Sequence, residues 1–311
     1  MAIIGSLAKH LGKTEKEVCD FLRFAPNKYK VYQIPKRSHG HRVIAQPSKE
    51  LKVYQRAFLE IYQFPVHQAA TAYRKNVSIK DNAIIHKSST YLLKTDFEKF
   101  FNSITPELFW NAVDTCNGLS FSFDEEDRKR VEQILFWCPS RKPDGKLILS
   151  IGAPTSPHIS NFCLFQFDCF VVEYCQQRKI RYSRYADDLT FSTRIPNLLM
   201  GLMPEVQKMI RQFFGQRLQI NHQKTVLSSK AHNRHVTGVT INNANELSLG
   251  RERKRYIKHL VHQFTLGQLE PSDIGYLKGL LSFAHHIEPA FIDRLKLKYT
   301  EQIIKNIIGS D

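Results

Sequence analysis

The 311-residue sequence lacks any apolar run near the roughly 18 to 20 residues that a membrane-spanning helix needs. Its most apolar stretch, Asn161 to Cys175, is interrupted by Gln166 and Asp168. The N-terminus, MAIIGSLAKHLGK, has neither a basic n-region before its apolar part nor a long h-region, so no secretory leader is expected. None of the six cysteines, Cys19, Cys116, Cys138, Cys163, Cys169 and Cys175, forms a C-x-x-C pair. No Cys/His group has zinc spacing. Reduced thiols in a cytoplasmic protein are the expectation. Internal repeats and low-complexity tracts are also missing.

Positive charge is abundant. Lys+Arg number 45 against 29 Asp+Glu, a formal net charge of +16. Such an excess calls for a polyanionic partner, nucleic acid first among them. With 42% hydrophobic and 24% charged residues the chain is a folded globular one. Its length suits roughly two domains or one large divided one.

Hydrophobic periodicity predicts a helix over 3–11, and Thr14 with Glu17 makes a capping box for a second helix running to about Phe24. Two short strands, YKVYQI and HRVIAQ, flank the basic turn Lys36 to Gly40. A helix follows from Ser48 to Tyr62. The apolar strand Tyr91 to Thr95 ends on Asp96. The polar stretch 114–149 reads as an insertion packed around the core. One long helix is expected from Pro157 through Cys175, a helix over 204–217, one strand over 235–241 (HVTGVTI), and basic helices over the last 60 residues. The pattern is α+β, with an antiparallel hairpin in the middle and helical flanks.

The sharpest feature is Tyr185-Ala186-Asp187-Asp188. Neighbours on a regular strand point to opposite faces, so two adjacent carboxylates serve one site only if the backbone turns. The flanking β-formers, RYSRY and LTFS, make a tight hairpin tip plausible. Carboxylates gathered on a basic chain favour a cation. With Asp96 they would offer hard oxygen ligands suited to Mg²⁺, and two such ions about 4 Å apart can clamp both oxygens of an in-line phosphoryl transfer.

In order and spacing, Asp96-Phe97-Glu98-Lys99-Phe100-Phe101, Gly152-Ala153-Pro154-Thr155-Ser156-Pro157 and Tyr185-Ala186-Asp187-Asp188 resemble the palm motifs of reverse transcriptases. Arg42 to Pro47 with Leu51-Lys52 resembles the fingers motif, and Leu218 to Asn221 with Lys224-Thr225 the motif after the catalytic hairpin. Asn82-Ala83-Ile84-Ile85-His86 and Val236-Thr237-Gly238 resemble the N-A-x-x-H and V-T-G signatures of the bacterial retron subgroup. The resemblance runs from about residue 34 to 255.

It implies a right-hand polymerase fold: N-terminal helices and fingers over 1–90, a palm with a ferredoxin-like antiparallel sheet over 91–240, its fingers-like insertion at about 114–149, and a small helical basic thumb over 241–311. It implies an RNA-directed DNA polymerase, a nucleotidyltransferase that copies its own structured non-coding RNA. Synthesis would start at a guanosine 2′-OH and yield multicopy single-stranded DNA (msDNA). Enzyme, RNA and DNA would act with an accessory effector protein in antiviral defence against phage. No membrane partner is implied.

Residue by residue, Asp96, Asp187 and Asp188, helped by the Phe97 carbonyl, match the ligands of two Mg²⁺ ions. Lys224 matches a general acid for the leaving pyrophosphate. Lys36 or Arg37, with Arg42, matches residues holding the triphosphate of a dNTP. Phe101 matches the ring that rejects a ribose 2′-OH; of Phe100 and Phe101, one is expected in the core. Gly152 and Pro154 belong to the substrate loop. Val236, Thr237 and Gly238 match a strand supporting the primer end, with Gly238 allowing close backbone approach. Arg251, Arg253, Lys254, Arg255 and Lys258 would face phosphates, with Tyr256 and Tyr276 adding stacking. The family's usual Gln before Gly-Ala-Pro is here Ile151, which has no side-chain hydrogen bond to offer. After Asp188 aspartate recurs only at 273, 293 and 311, so no RNase H module is expected. The alternatives are an intron, diversity-generating or CRISPR-type reverse transcriptase, or a catalytically silent RNA-binding scaffold.

Overall fold

The computed structural model describes residues 2–36, 40–142 and 144–309; Arg37 lies outside the described residues. Helices α1 (Ala2–Leu11) and α2 (Glu15–Leu22) open the chain. The capping box of Thr14 and Glu17 is present, and α2 stops short of Phe24. Strands β1 (Tyr29–Pro35) and β2 (His41–Pro47) form an antiparallel ribbon in the register Ile34↔Arg42. Then come α3 (Lys49–Ile61), α4 (Ile79–His86), β3 (Tyr91–Asp96), α5 (Phe100–Ser103), α6 (Pro106–Thr115) and α7 (Glu125–Leu135). Within the stretch 114–149, α7 buries Val131, Ile134 and Leu135 completely.

The expected single helix from Pro157 through Cys175 is two, α8 (Ser156–Cys163) and α9 (Phe165–Gln177). Leu164, with φ −99° and ψ 6°, leaves helical geometry between them while its side chain stays fully buried. Strands β4 (Arg181–Tyr185) and β5 (Asp188–Thr193), helix α10 (Leu202–Phe214) and strand β6 (Val226–Ser229) follow. Strand order in this sheet is β4-β5-β3-β6, with α8, α9 and α10 in the connections. That is the βαββαβ succession of a ferredoxin-like sheet.

The expected strand over 235–241 is instead a hairpin of β7 (Arg234–Val236) and β8 (Val239–Ile241), extended by β9 (Leu247–Ser248). Thr237 (φ 46°) and Gly238 (φ 80°) sit in the left-handed region, which an extended strand cannot hold but a two-residue turn requires. Four helices close the described chain: α11 (Arg251–Thr265), α12 (Pro271–Ile287), α13 (Pro289–Tyr299) and α14 (Glu301–Gly309). Among the described residues no helix is long and apolar enough to cross a membrane.

By compactness the chain forms two units. The first comprises Met1–Tyr73, Thr95–Leu189 and Gly201–Thr225. Its core is aromatic: Phe58, Phe64, Phe109, Phe136 and Phe162 are linked ring to ring. The second comprises Arg74–Lys94, Thr190–Met200 and Val226–Asp311. Its core is aliphatic, built from Leu92, Val236, Ile257, Leu277, Leu281 and Ile304 with neighbours on α4 and α13. Burial of such side chains stabilises each unit by about 1.5–3 kcal/mol apiece. The six cysteines are free, and burial pushes the Cys175 thiol up to about 12.

Candidate active site

Strand β3 delivers Asp96 to the first unit, where it is 5% exposed. Three backbone bonds fix its surroundings: Asn221 N–H to the Asp96 carbonyl (2.8 Å), Phe97 N–H to the Asp187 carbonyl (3.1 Å) and Glu98 N–H to the Gln219 carbonyl (2.8 Å). The second of these ties the Asp96 segment directly to the turn between β4 and β5. That turn is the tight tip expected from the sequence, with Ala186 at φ 57°. Asp187 is half-buried and Asp188 exposed.

Burial raises the Asp187 carboxyl above its ordinary value, and the charge of Asp96 adds to the rise. Arg42 and Lys224 work the other way, which places both cations within electrostatic reach of Asp187. Lys224 Nζ is 2.5 Å from Asp96 Oδ2, and that bond holds the ammonium charged. Asp96 Oδ1 is buried with no hydrogen-bond partner. An orphaned carboxylate oxygen beside a second carboxylate whose charge burial disfavours fits a hard divalent cation. Among the described residues no three His, Cys, Asp or Glu side chains form a ready cage.

A cleft of about 330 Å³ is lined by Lys52, Arg56, Tyr73, Phe101 and the loop Ser150–Pro157, in which Gly152 and Pro154 lie. The aromatic pair divides as expected: Phe100 is 4% exposed and stacks on Phe97, while Phe101 lines the cleft. Gly152, at φ 131°, lies so close to β2 that a Cβ would stand 3.1 Å from the Ala45 carbonyl. Ala45 N–H donates to the Ile151 carbonyl (3.1 Å), so β2 engages that carbonyl while the Ile151 side chain brings no polarity. Lys36 is exposed at the end of the β1–β2 ribbon, its N–H on the Gly40 carbonyl.

Sequence reasoning missed what holds the Ala186-Asp187 turn. Arg184 and Asp168 are fully buried and form an ion pair at 2.5 Å. The guanidinium also donates to Asn161 Oδ1 (3.0 Å) and the Ala186 carbonyl (3.0 Å). Tyr182 donates to the same carboxylate (2.8 Å). The break at Leu164 puts Asn161 and Asp168 on separate helices yet both on one guanidinium. The signal was present: Asp168 interrupts an otherwise apolar segment, and a buried charge needs a partner.

In the second unit the two short signatures meet. Asn82 Nδ2 donates to Thr237 Oγ1 (3.4 Å), which donates to the Ile79 carbonyl (3.4 Å). His86 Nδ1 bonds Ser192 Oγ (2.8 Å). Val236 is fully buried. No atom of the described chain lies within 4 Å of a Cβ built on Gly238; within the chain the glycine answers a need for positive φ. Of the α11 cations, Arg251, Arg255 and Lys258 are exposed. Lys254 is instead tied to Glu288 (2.7 Å), and Arg253 bonds the Gly238 carbonyl (3.3 Å). Tyr256 and Tyr276 are exposed with ring centroids 6.4 Å apart.

The reverse transcriptase (RNA-dependent DNA polymerase) family model matches residues 34–241. Retron Ec83 reverse transcriptase of Escherichia coli is 50% identical over 281 residues, 90% of this chain and 89% of that protein. The chain belongs to the retron reverse transcriptases. It is an RNA-directed DNA polymerase. Retron Ec73 reverse transcriptase of Escherichia coli is 29% identical, with 90% of this chain and 89% of that protein covered. Retron Mx65 reverse transcriptase of Myxococcus xanthus is also 29% identical; 86% of this chain covers 63% of that protein. Among solved structures, telomerase from Candida albicans in complex with a TWJ fragment of telomeric RNA gives a TM-score of 0.50 at 13% identity, over 91% of this chain and 57% of that one. The likeness concerns the fold alone, which is the right-hand polymerase fold of this family.

Proposed function

We propose that this reverse transcriptase makes msDNA from a cognate structured non-coding RNA, starting at a guanosine 2′-OH, as part of a cytoplasmic antiphage system with an effector protein. The observation carrying the catalytic part is the juxtaposition of Asp96, one buried oxygen of which lacks a partner, with Asp187 at the tip of a braced turn. Asp96, Asp187 and Asp188, with the Phe97 carbonyl, are the groups that would hold two Mg²⁺ ions. Bound Mg²⁺ supplies charge against phosphate oxygens and acidifies the attacking hydroxyl.

The chain's own residues do the rest. Arg42 lies within electrostatic reach of Asp187 and, with Lys36 and Arg37, holds the triphosphate. Phe101 presents its ring to the cleft and excludes a sugar 2′-OH. Lys224, held protonated by Asp96, brings positive charge to the leaving pyrophosphate. Carrying that proton, it serves as the general acid for the leaving group. Gly152 and Pro154 shape the loop under the nucleotide. Residues 1–90 serve as N-terminal helices and fingers, 91–240 as palm and 241–311 as thumb. In the palm Val236, Thr237 and Gly238 support the primer end, and in the thumb Arg251, Arg255 and Lys258 meet phosphates. Arg253 and Lys254 hold α11 in place.

The test is expression from the native locus, as wild type and as Asp187→Asn/Asp188→Asn, followed by analysis of copurifying nucleic acid. DNA joined to RNA by a 2′,5′ bond is expected in the wild type only, with incorporation down at least about a hundredfold in the variant. RNA without DNA in both would turn the reading toward a silent RNA-binding scaffold.

A further inference from the structure

The first unit carries a second, larger concavity, of about 800 Å³, that shares no lining residue with the cleft at Phe101. Three chain segments build it: 27–30, 46–50 and Arg141. They are stitched together by Ser48 N–H on the Lys28 carbonyl (2.8 Å), Cys138 N–H on the Pro26 carbonyl (3.0 Å) and Arg141 Nη2 on the Tyr29 carbonyl (3.3 Å). The groove is therefore a built feature with fixed walls.

Its charge is one-sided. Lys28, Lys30, Lys49 and Arg141 line it against the single carboxylate of Glu50, which lies 3.6 Å from Lys13. Among the described residues none of the four cations forms an ion pair.

Two of these cations sit where local energetics disfavour them. Lys49 occupies the first turn of the 13-residue helix α3, directly after its Ser48 cap. A cation there faces the positive end of the helix dipole, and the free N–H groups of the same turn also want an anion. Arg141 holds φ 56°, a conformation costly for any residue with a Cβ. The Lys49 placement becomes favourable once a polyanion lies in the groove. The one aromatic ring in the lining, Tyr29, is 6% exposed and packs on Trp137, leaving no face for a base. The contact must be with backbone phosphates, not with bases.

We infer that this groove binds the phosphodiester backbone of a single nucleic-acid strand, independently of sequence and outside the catalytic cleft. The inference rests on the polymerase reading above, which supplies the polyanion. Neutralising four phosphates of a single strand contributes about 2.8 (0.7 × 4) to the slope of log affinity against log salt.

The experiment measures binding of unstructured RNA and DNA 12-mers to the full chain across a salt series. The variants are Lys28→Gln/Lys30→Gln/Lys49→Gln/Arg141→Gln and the milder Lys30→Gln/Lys49→Gln. The second pair is exposed and leaves the Arg141–Tyr29 bond intact, so its fold is not at risk. Slopes shallower by about 2.8 and about 1.4 are expected, with nucleotide incorporation unchanged on a duplex bearing a one-nucleotide template overhang. The RNA and DNA arms identify which strand the groove takes, and a lowered slope in either supports it. Unchanged slopes in both arms, in a wild type that still incorporates nucleotides, overturn the groove alone. A wild type that neither binds nor incorporates overturns the polymerase reading with it.

Discussion

The Ala186-Asp187 turn of the first unit and the Thr237-Gly238 turn of the second solve the same backbone problem with opposite physics. Each joins neighbouring short strands in two residues, and each needs positive φ: 57° at Ala186, 46° at Thr237 and 80° at Gly238. The first is braced by a fully buried guanidinium that donates to the Ala186 carbonyl and is neutralised by Asp168. The second rests on 3.4 Å hydroxyl contacts and on Arg253 reaching the Gly238 carbonyl from a half-buried position. Nearby, the second unit's charged junction is Glu288. It accepts from Lys254 and Arg294 (both 2.7 Å), Ser248 Oγ (3.0 Å) and Leu249 N–H (3.1 Å). A turn that must present carboxylates in a fixed place is held by charges removed from water. The Thr237-Gly238 turn is held by weak, replaceable bonds.

Removing one member of the buried pair breaks that contrast most sharply. Asp168→Ala strands the Arg184 guanidinium in the core, a change that costs about 3–5 kcal/mol when a buried partner is lost. Thermal unfolding should fall well below that of Glu288→Ala; an equal or smaller fall would show that the two hubs are energetically alike.

Gly238→Ala comes next. Nothing within the chain crowds a Cβ there, so the loss is backbone strain alone, about 1–2 kcal/mol. Denaturant midpoints compare it with Gly275→Ala, an open helical glycine where no loss is expected.

The smallest effect is in pH. Burial pushes the Glu288 carboxyl up, but Lys254, the Leu249 N–H and Ser248 together hold it below its ordinary 4.5. A depressed folded-state pKa contributes stability that is complete above about 4.5 and is lost as pH falls through the folded value. Wild type should exceed Glu288→Gln by on the order of 1 kcal/mol at pH 7, with the gap closing below pH 4. A gap independent of pH would mean the carboxylate's charge is irrelevant.

Much of the fold was legible because its signals are local. The capping box at Thr14, the strand ending on Asp96 and the hairpin around Asp187 each lie within a few residues of their cause. Phe100 and Phe101 separated as helical spacing required. The failures were at distance. The split at Leu164 serves a guanidinium 20 residues on. Lys254, grouped with phosphate-facing neighbours, is claimed by Glu288. The V-T-G segment read as a strand because its valines are β-formers, while the turn depends on backbone angles that composition hides.

By itself the sequence determined the chain's charge, the strand that ends on Asp96 and the hairpin tip at Asp187, since covalent neighbours and short periodicities decide these. Only the tertiary structure decided which charges are spent internally and which remain for a ligand. Tyr29 and Arg141 are 112 residues apart in the chain, yet their bond forms one wall of a groove. Ion pairing and desolvation depend on separations in space, and packing sets those separations.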